Sequence, residues 1–316
     1  MAVETTTFSN NSADTWFRDI MFDCVLCPRA CHVNRLAGQT GYCGQTAELM
    51  AARASLHYWE EPCISGTSGS GTVFFSGCNL RCVFCQNHNI ALGKAGRVIA
   101  PEHLAEIFLQ LQEQGANNIN LVTPTHFLPQ IVIALEQAKQ QGLHLPIVYN
   151  TGSYESPEAL RHLEGLVDIY LPDLKYFSPE LSTAYSHAPD YFETACAAIS
   201  EMYRQVGDPV IDEDTGLMQH GMIVRHLLLP GQTKDSKKIL RYLHETYGDH
   251  IYISIMNQYT PLPQVADIEV LNRTVTPEEY DRVLRFAERI GIERGFRQEG
   301  TAASESFIPE FDESGL

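Results

Sequence analysis

Hydrophobic and polar positions change their spacing regularly along the chain from about residue 72 onward. Short runs rich in β-branched and aromatic residues, such as TVFFSG, alternate with longer runs whose apolar residues recur every three or four positions, such as PEHLAEIFLQLQEQG. The short runs have the length and composition of buried strands, and the longer runs have the period of helices. The pattern predicts strands at 72–77, 118–123, 146–152, 167–175, 222–230 and 251–256, and helices at 101–115, 128–142, 156–165, within 178–206, and at 233–248 and 276–291.

Six strand–helix units in alternation predict an α/β fold with a parallel sheet and right-handed crossovers. Such a sheet could be an open doubly wound sheet or an incomplete barrel. No G-x-G-x-x-G follows any strand, which removes the main support for a dinucleotide-binding sheet. Polar loops follow all six strands, and in barrels the functional loops lie at the carboxyl ends of the strands. We therefore expect a partial (β/α)6 TIM-like barrel with a single mouth.

The segments on either side of the predicted barrel differ from it in composition. Residues 1–70 are rich in Cys and Gly and poor in helical periodicity, and residues 292–316 are acidic and aperiodic. We expect an N-terminal Cys-rich metal-binding extension at 1–70, the barrel at 71–291 and an acidic C-terminal tail at 292–316. The tail is predicted to be a solvated or loosely docked extension.

Charge and composition narrow the classes of function. Of the 316 residues, 44% are hydrophobic and 19% are charged, as in a globular protein that buries a large core. The formal net charge of −17 disfavours nucleic acid, which is bound through Lys and Arg, and it also disfavours anionic membrane surfaces. The N-terminus lacks the basic and apolar regions of a signal peptide, and no stretch has the length of a membrane span. We expect a soluble cytoplasmic protein with no nucleic-acid or membrane partner.

Nine cysteines are distributed unevenly along the chain. In a reducing compartment they are expected to be free thiols used for metal binding or catalysis. Cys63 and Cys196 stand alone and are predicted to be buried small hydrophobes. The other seven form two sets, which we call the four-cysteine group (Cys24, Cys27, Cys31 and Cys43) and the three-cysteine loop (residues 76–85, with Cys78, Cys82 and Cys85).

The three-cysteine loop, SGCNLRCVFC, predicts an iron–sulfur site. Structural zinc takes four protein ligands, usually as two separated pairs, and no fourth cysteine lies nearby in the sequence. Iron–sulfur clusters are held by thiolates on closely spaced runs, and three thiolates on a 4Fe-4S cluster leave one iron open to a second molecule. The alternative is three cysteines packed in a core, but Asn79, Arg81 and Gln86 suit a polar site better.

This loop resembles the signature of the radical S-adenosylmethionine (SAM) superfamily, which reads Cys78-x-x-x-Cys82-x-Phe84-Cys85 in this chain. The resemblance covers nearly the whole chain. The segments CVLCPRACHVNRLAGQTGYCG, NLVTPTHF, YLPDLKY, RHLLLPG and SIMNQYTP together resemble proteins similar to pyruvate formate-lyase activating enzyme. The resemblance implies that the open iron binds the amino and carboxylate groups of SAM. One electron from the cluster would then cleave SAM to methionine and a 5′-deoxyadenosyl radical, which abstracts a hydrogen atom from a substrate.

The resemblance also assigns SAM contacts to the loop after the second strand. Activating enzymes carry Gly-Gly-Glu-Pro there, whereas this chain reads Val122-Thr123-Pro124-Thr125-His126. The contact to the SAM amino group is therefore expected from Thr hydroxyls or backbone carbonyls. Thr125 and His126 could equally be a helix cap and a surface histidine.

Two further loops of the activating enzymes help to bind a monovalent cation beside the SAM carboxylate. Here these loops contain Asn150 and Thr151, and Asp173 and Lys175, with Asn150 at the position of a family acid. Carboxylate, hydroxyl and carbonyl oxygens suit a hard cation. Asp173 and Lys175 could instead form a structural ion pair at the rim of the barrel.

Arg225 lies inside a predicted strand, where an unpaired charge would be costly. It needs an anion, and the SAM carboxylate or an acidic barrel side chain would serve equally. His226 points to the opposite face because side chains alternate along a strand. Asn257, at the end of the sixth strand, could reach the adenine or the substrate. The predicted SAM-binding set is Phe84, Thr123, Thr125, Asn150, Thr151, Asp173, Lys175, Arg225 and Asn257.

The four-cysteine group supplies a complete set of four thiolates, so its site is predicted to be closed. Cys24, Cys27 and Cys31 are closely spaced, and Cys43 follows within GQTGYCG. The group could hold structural zinc or an auxiliary iron–sulfur cluster, and the spacing does not choose between them. A cluster could relay electrons, whereas zinc would only stabilise the fold of a segment that has little hydrophobic core of its own.

Three hypotheses of function follow. The first is a radical SAM oxidoreductase that abstracts hydrogen from a glycine of a partner protein, a glycyl-radical enzyme, through the open side of the barrel. The second keeps the radical chemistry with a small-molecule substrate, the terminal segments closing the mouth. The third is a non-catalytic iron–sulfur redox sensor, which the polar loops at every strand end disfavour. For the enzymes, the resemblance implies an electron donor such as flavodoxin or ferredoxin.

Overall fold

The computed structural model describes residues 12–298 and 309–316. Ten strands in these ranges belong to one sheet. Their bounds are β1 (Met50–His57), β2 (Ser70–Phe75), β3 (Arg97–Val98), β4 (Ile119–Val122), β5 (Ile147–Thr151), β6 (Ile169–Pro172), β7 (Val210–Ile211), β8 (Met218–Leu227), β9 (Tyr252–Met256) and β10 (Gly295–Arg297). The helices are α1 (Ser12–Phe22), α2 (Pro62–Ser65), α3 (His88–Ala91), α4 (Pro101–Glu113), α5 (Leu128–Gln140), α6 (Pro157–Leu160), α7 (Pro179–Ser186), α8 (Tyr191–Val206), α9 (Thr233–Tyr247) and α10 (Pro277–Ile290).

The sheet runs in the order β10-β9-β8-β6-β5-β4-β2-β1-β3, with β7 pairing β8 beside this path. All neighbours from β2 to β10 along the path pair in parallel. β1 is antiparallel to both β2 and β3, and β7 is antiparallel to β8. The predicted α/β class with a mostly parallel partial barrel is confirmed, and β10 adds one parallel strand at the edge.

All six predicted strand–helix units are present, but two helical segments differ from the prediction. The stretch 178–206 forms two helices because α7 ends at Ser186, the next residue, His187, has a left-handed φ of 51°, and Pro189 cannot continue a helix. The helix predicted at 156–165 is reduced to α6 and a 3-10 turn, Arg161–Leu163. The other four helices begin and end within two residues of their predicted bounds.

The segments before and after the barrel contribute to the same sheet. β1, from the predicted extension, pairs with β2 over most of its length. Near the other end, the backbone of Ser314 accepts a hydrogen bond from Ala54 of β1 at 2.9 Å, and Arg53 pairs with Asp312 at 3.0 Å. Residues 309–316 are therefore docked on β1, whereas residues 299–308 of the predicted tail lie outside the described ranges. The predicted domain boundaries remain a prediction.

In the part of the chain that the structure describes, no helix is a candidate for a membrane span. None of these helices combines the length and the apolar composition that crossing a bilayer requires.

Candidate functional site

A cavity of about 250 Å³ lies where the parallel strands end. Its walls include the final residues of several strands or the residues just after them, as the sequence predicts for a barrel mouth. These are Val122, Thr151, Asp173, Leu227 and Met256, and the penultimate residue of β2, Phe74, also lines the cavity. Pro309, from the docked C-terminal residues, completes one side.

All three cysteines of the three-cysteine loop line this cavity. The loop leaves β2 and turns sharply, with Arg81 at a left-handed φ of 50°. The Cys78 sulfur accepts a hydrogen bond from the Leu80 backbone N–H at 3.3 Å, and the Ser186 hydroxyl donates to the Cys82 sulfur at 2.9 Å. Hydrogen bonds of this kind favour the thiolate form that metal binding requires.

Phe84 holds the loop against the interior of the protein. Its ring makes edge contacts with Tyr176, Tyr185 and Tyr259, at centroid distances of 6.1 to 6.4 Å. Such aromatic contacts stabilise beyond the area they bury. Since Phe84 lies between Cys82 and Cys85 in sequence, this cluster fixes the positions from which both sulfurs reach the cavity.

The environment of Cys78 and Cys85 favours the protonated thiols in the absence of a positive partner. Burial, reinforced by the neighbouring cysteines, raises the pKa of Cys85 to about 12 and also raises the pKa of Cys78. Lys175 opposes this rise at both thiols. A bound metal centre would supply the positive charge that makes three buried thiolates stable.

The donor set of the loop fits a cluster better than a single ion. In the ranges that the structure describes, no three His, Cys, Asp or Glu side chains are arranged to hold one metal ion. In a 4Fe-4S cluster each thiolate binds a different iron, so its ligands stand apart around the cluster. Three thiols on one wall of one cavity match that requirement.

A network of charged side chains lines the cavity opposite the loop. Arg225 Nε donates to Asp173 Oδ1 and Arg225 Nη1 to Glu60 Oε2, both at 3.0 Å. Arg225 Nη2 donates to Asn150 Oδ1 at 2.5 Å, and Lys175 Nζ to Asp173 Oδ2 at 2.6 Å. The anion that a buried arginine needs is therefore supplied by acidic side chains of the protein itself.

Asp173, Lys175 and Arg225 stabilise one another in their ionised forms. Burial opposes ionisation of Asp173, but the charges of Lys175 and Arg225 outweigh it and hold the pKa of Asp173 below its usual value. Burial likewise disfavours the cations, yet Asp173 keeps the pKa of Lys175 and of Arg225 above their usual values, aided by Glu60 at Arg225. Two cations thus face two carboxylates in one wall of the cavity.

Glu60 lines the cavity and is an acid that the sequence analysis missed. It lies in the connection after β1, and its Oε1 also accepts hydrogen bonds from Asn120 at 3.0 Å and Asn150 at 3.3 Å. The need of Arg225 for an acid was the available signal, but the partner is 165 positions away in the sequence. Pairing over that distance depends on the fold.

The structure brings most of the predicted SAM-binding residues to the cavity, but not Thr125 or Asn257. Thr123 lines the cavity, whereas the buried Thr125 hydroxyl donates to Glu155 at 2.6 Å. The neighbours of Asn257, Met256 and Gln258, line the cavity in its place. The predicted members that do line it are Phe84, Thr123, Asn150, Thr151, Asp173, Lys175 and Arg225.

The two histidines that the sequence singled out are buried and structural. His126 donates from Nε2 to the Ser76 carbonyl at 2.5 Å, and burial lowers its pKa to about 3, so it is not a surface residue. His226 bonds the Leu174 carbonyl and the Ser236 hydroxyl, each at 2.8 Å, on the face away from the cavity.

Glu155 is a second acid that the sequence analysis missed. It is fully buried and accepts hydrogen bonds from the hydroxyls of Thr125 and Thr151, while its Oε2 has no partner. Burial raises its pKa to about 7, although these hydroxyls oppose the rise. It does not line the cavity.

The family assignment follows from the sequence of this barrel. The model of the radical SAM superfamily matches residues 72–243, more than half of the chain, and the chain belongs to this superfamily. Membership implies a 4Fe-4S cluster and SAM as cofactors, which the three-cysteine loop and the cavity fit.

The chain is also similar to individual proteins, in sequence or in fold. An uncharacterized protein of Methanocaldococcus jannaschii is 27% identical over 286 residues, covering 87% of this chain and 77% of the relative. A pyruvate formate-lyase-activating enzyme of Clostridium pasteurianum is 29% identical over 121 residues, 36% of this chain and 48% of that enzyme. A solved domain of such an enzyme from Bacteroides vulgatus superposes with a TM-score of 0.42 at 14% identity, over 58% of this chain and all of that domain.

Proposed function

We propose that this protein is a radical SAM enzyme that cleaves SAM reductively at a 4Fe-4S cluster bound by Cys78, Cys82 and Cys85. When bound, the two cofactors supply a 5′-deoxyadenosyl radical that abstracts a hydrogen atom from the substrate. The observation that carries the proposal is the arrangement of one cavity, with three thiols on one wall and a paired charge network on another.

Different residues of the cavity would bind different groups of SAM. Lys175 and Arg225 give the network its cationic groups, and Lys175 is the one suited to the SAM carboxylate because Arg225 is already held by three oxygen atoms. Thr123 and Thr151 offer hydroxyl groups beside Asn150 for the SAM amino group and ribose. Since Lys175, Arg225, Asn150 and Thr151 are held by partners, they would orient SAM without rearranging.

Arg225 would compete with the expected monovalent cation for the oxygen atoms of this site. The side-chain oxygens of Asp173 and Asn150, which the family resemblance assigns to the cation, both accept hydrogen bonds from Arg225. The guanidinium group would then take the place of the cation. Activity should therefore change little when sodium or potassium is replaced by a large organic cation.

We further propose that the hydrogen comes from a partner protein. The cavity volume of about 250 Å³ lies below the range of about 300–1,000 Å³ typical of small-molecule sites. A cavity of this size would be filled by SAM, so the second substrate would approach from outside. The named activity of the Clostridium relative supports the same class of partner.

The test is anaerobic. The protein is reconstituted with iron and sulfide and mixed with SAM and dithionite, and 5′-deoxyadenosine is measured by chromatography. Formation of 5′-deoxyadenosine supports the proposal, and its absence with an intact cluster would sink it. A glycyl-radical enzyme added to the same mixture should show a glycyl radical by electron paramagnetic resonance (EPR). If only added small molecules increase 5′-deoxyadenosine, the proposal of a protein substrate is wrong.

A further inference from the structure

The four-cysteine group forms a second thiol cluster outside the cavity. The backbone doubles back between its members, since the Cys24 N–H donates to Val33 and the Cys24 carbonyl accepts from His32, both at 3.1 Å. Cys24 and Cys43 are buried, whereas Cys27 and Cys31 are partly exposed. Cys43 lies in a tight turn, in which the Gly44 N–H donates to the Gly41 carbonyl at 3.0 Å, and Gly41 packs against the Cys31 side chain.

The backbone around Cys31 forms a cradle for its sulfur. A Cβ atom at Gly41 would lie 2.7 Å from the Cys31 sulfur, closer than any side chain can approach. The next backbone N–H, of Tyr42, donates to the same sulfur at 3.3 Å. Hydrogen bonds to cluster sulfurs are among the features that set the potential of iron–sulfur centres.

The position of the four thiols against the three-cysteine loop favours a redox-active cluster over zinc. A structural zinc site needs four ligands around one ion at about 2.3 Å. Among the residues that the structure describes, no three Cys, His, Asp or Glu side chains are placed in that way. An iron–sulfur cluster is held by four thiolates on a run of this kind and carries electrons, whereas zinc does not.

The four-cysteine group also lies directly behind the three-cysteine loop. The Cys43 carbonyl is so close to Gly77, which precedes Cys78, that a Cβ at Gly77 would lie 2.9 Å from it. Arg29, between Cys27 and Cys31, donates from Nε to the Asn79 carbonyl at 2.8 Å. The Tyr42 ring packs between the guanidinium groups of Arg29 at 3.9 Å and Arg81 at 5.3 Å.

We propose that Cys24, Cys27, Cys31 and Cys43 bind a second 4Fe-4S cluster, which relays electrons to the site at Cys78, Cys82 and Cys85. A reduced one-electron carrier, of the flavodoxin or ferredoxin class, gives one electron to the second cluster and is itself oxidised. The second cluster passes that electron through the Cys43–Gly77 contact and returns to its oxidised state. The relay rests on the proposed function, whereas the second cluster does not.

The metal content of anaerobically reconstituted protein tests the second cluster. The wild type should contain about eight iron atoms per chain, and the Cys78/Cys82/Cys85→Ala variant should keep about four, with an EPR signal after reduction. A matched Cys24/Cys27/Cys31/Cys43→Ala variant should keep about four at the other site. About four irons and one zinc in the wild type, or no iron in the folded triple variant, would overturn the proposal.

The relay is tested by reducing the remaining cluster in the four-alanine variant. Dithionite should reduce it as in the wild type, whereas reduction by flavodoxin hydroquinone should be lost, both followed by EPR. Equal reduction by flavodoxin in both proteins would show that electrons enter elsewhere. Failure to form 5′-deoxyadenosine, with iron retained in the triple variant, would count against the proposed function and leave the second cluster standing.

Discussion

The three-cysteine loop separates two regions that are built differently. In front of it, in the cavity, carboxylates are paired with cations, as in Asp173 with Lys175 and Glu60 with Arg225. Behind it, the N-terminal segment is attached by a hydrogen bond from the Arg29 side chain to a backbone carbonyl, by stacked Arg and Tyr groups and by close glycine contacts. Near that segment, the buried Glu155 has hydroxyl donors rather than a cation. The front is suited to a charged polar ligand, and the back holds the loop in place.

The largest effect is expected in the front region, from Cys82→Ala. The variant should lose 5′-deoxyadenosine formation because the cluster loses one of three ligands. Cys196→Ala is the matched control, since this partly exposed cysteine belongs to neither set, and it should keep wild-type activity. Activity retained by Cys82→Ala would mean that the cluster lies elsewhere. The measurement is product formation per mole of iron bound.

Arg225→Met should give the next largest effect, on stability as well as on SAM binding. Removing the cation leaves Glu60 without its cationic partner and Asp173 with Lys175 alone, and breaking a buried pair in this way typically costs about 3–5 kcal/mol. Arg285→Met is the control, because its pair with Asp281 is about 60% exposed and should contribute less than about 1 kcal/mol. Denaturant unfolding of both variants measures the difference, and equal losses would show that the network is not the buried element we describe.

Glu155→Gln should change how stability depends on pH. The pKa of Glu155 is raised from 4.5 to about 7 in the folded protein, so the folded state holds a proton that the unfolded state releases. The contribution of Glu155 to the free energy of unfolding is therefore full below about pH 4.5 and is lost as the pH rises through about 7. The free energy of unfolding changes by about 3 kcal/mol over this range. The glutamine variant should remove this slope and be more stable than the wild type at pH 8.

The control for Glu155 is the exposed Glu113, whose change to glutamine should leave the pH profile of unfolding as it is. If Glu155→Gln keeps the wild-type slope, Glu155 is ionised when folded. The back region would then resemble the front in holding a charged carboxylate.

Gly77→Ala tests the contact behind the loop. The new Cβ would lie 2.9 Å from the Cys43 carbonyl and 2.5 Å from Gln45 Cγ, at a φ of 90°. Gly142→Ala carries similar backbone strain at a φ of 103°, but has nothing within 4 Å. Gly77→Ala should lower the free energy of unfolding by about 2 kcal/mol more than Gly142→Ala does, as measured by denaturant unfolding. This difference reports the steric clash of the new Cβ. Equal losses in the two variants would mean that the N-terminal segment moves freely away from the loop.

The sequence predicts the front region better than the back. Strand-end residues such as Asp173 and Arg225 could be placed in the cavity because parallel strands end at one edge of a sheet. Thr125 and Asn257 also lie near strand ends, but neither lines the cavity. The Thr125 hydroxyl donates to Glu155 instead. Met256 and Gln258 line the cavity, and Asn257 lies between them, where the alternation of side chains directs it away. Local pattern therefore fixes the edge at which a residue lies, and not the direction of its side chain.

Glu60 could not be predicted for a different reason. Its partner Arg225 lies on β8, and the two meet only after the connection beyond β1 is brought inside the curved sheet. The same holds for the contact between Cys43 and Gly77, which joins two cysteine sets that look independent in the sequence. Pairings between distant segments depend on how the whole chain packs.

The open sheet has a consequence for association between molecules. A barrel that does not close leaves two edges with unpaired backbone groups, which can recruit strands from other chains. Here the edge strands are short, β3 with two residues and β10 with three, and each carries an exposed arginine, Arg97 or Arg297. Short, positively charged edges resist edge-to-edge aggregation. The chain can therefore keep its barrel open on one side without offering a template for fibre growth.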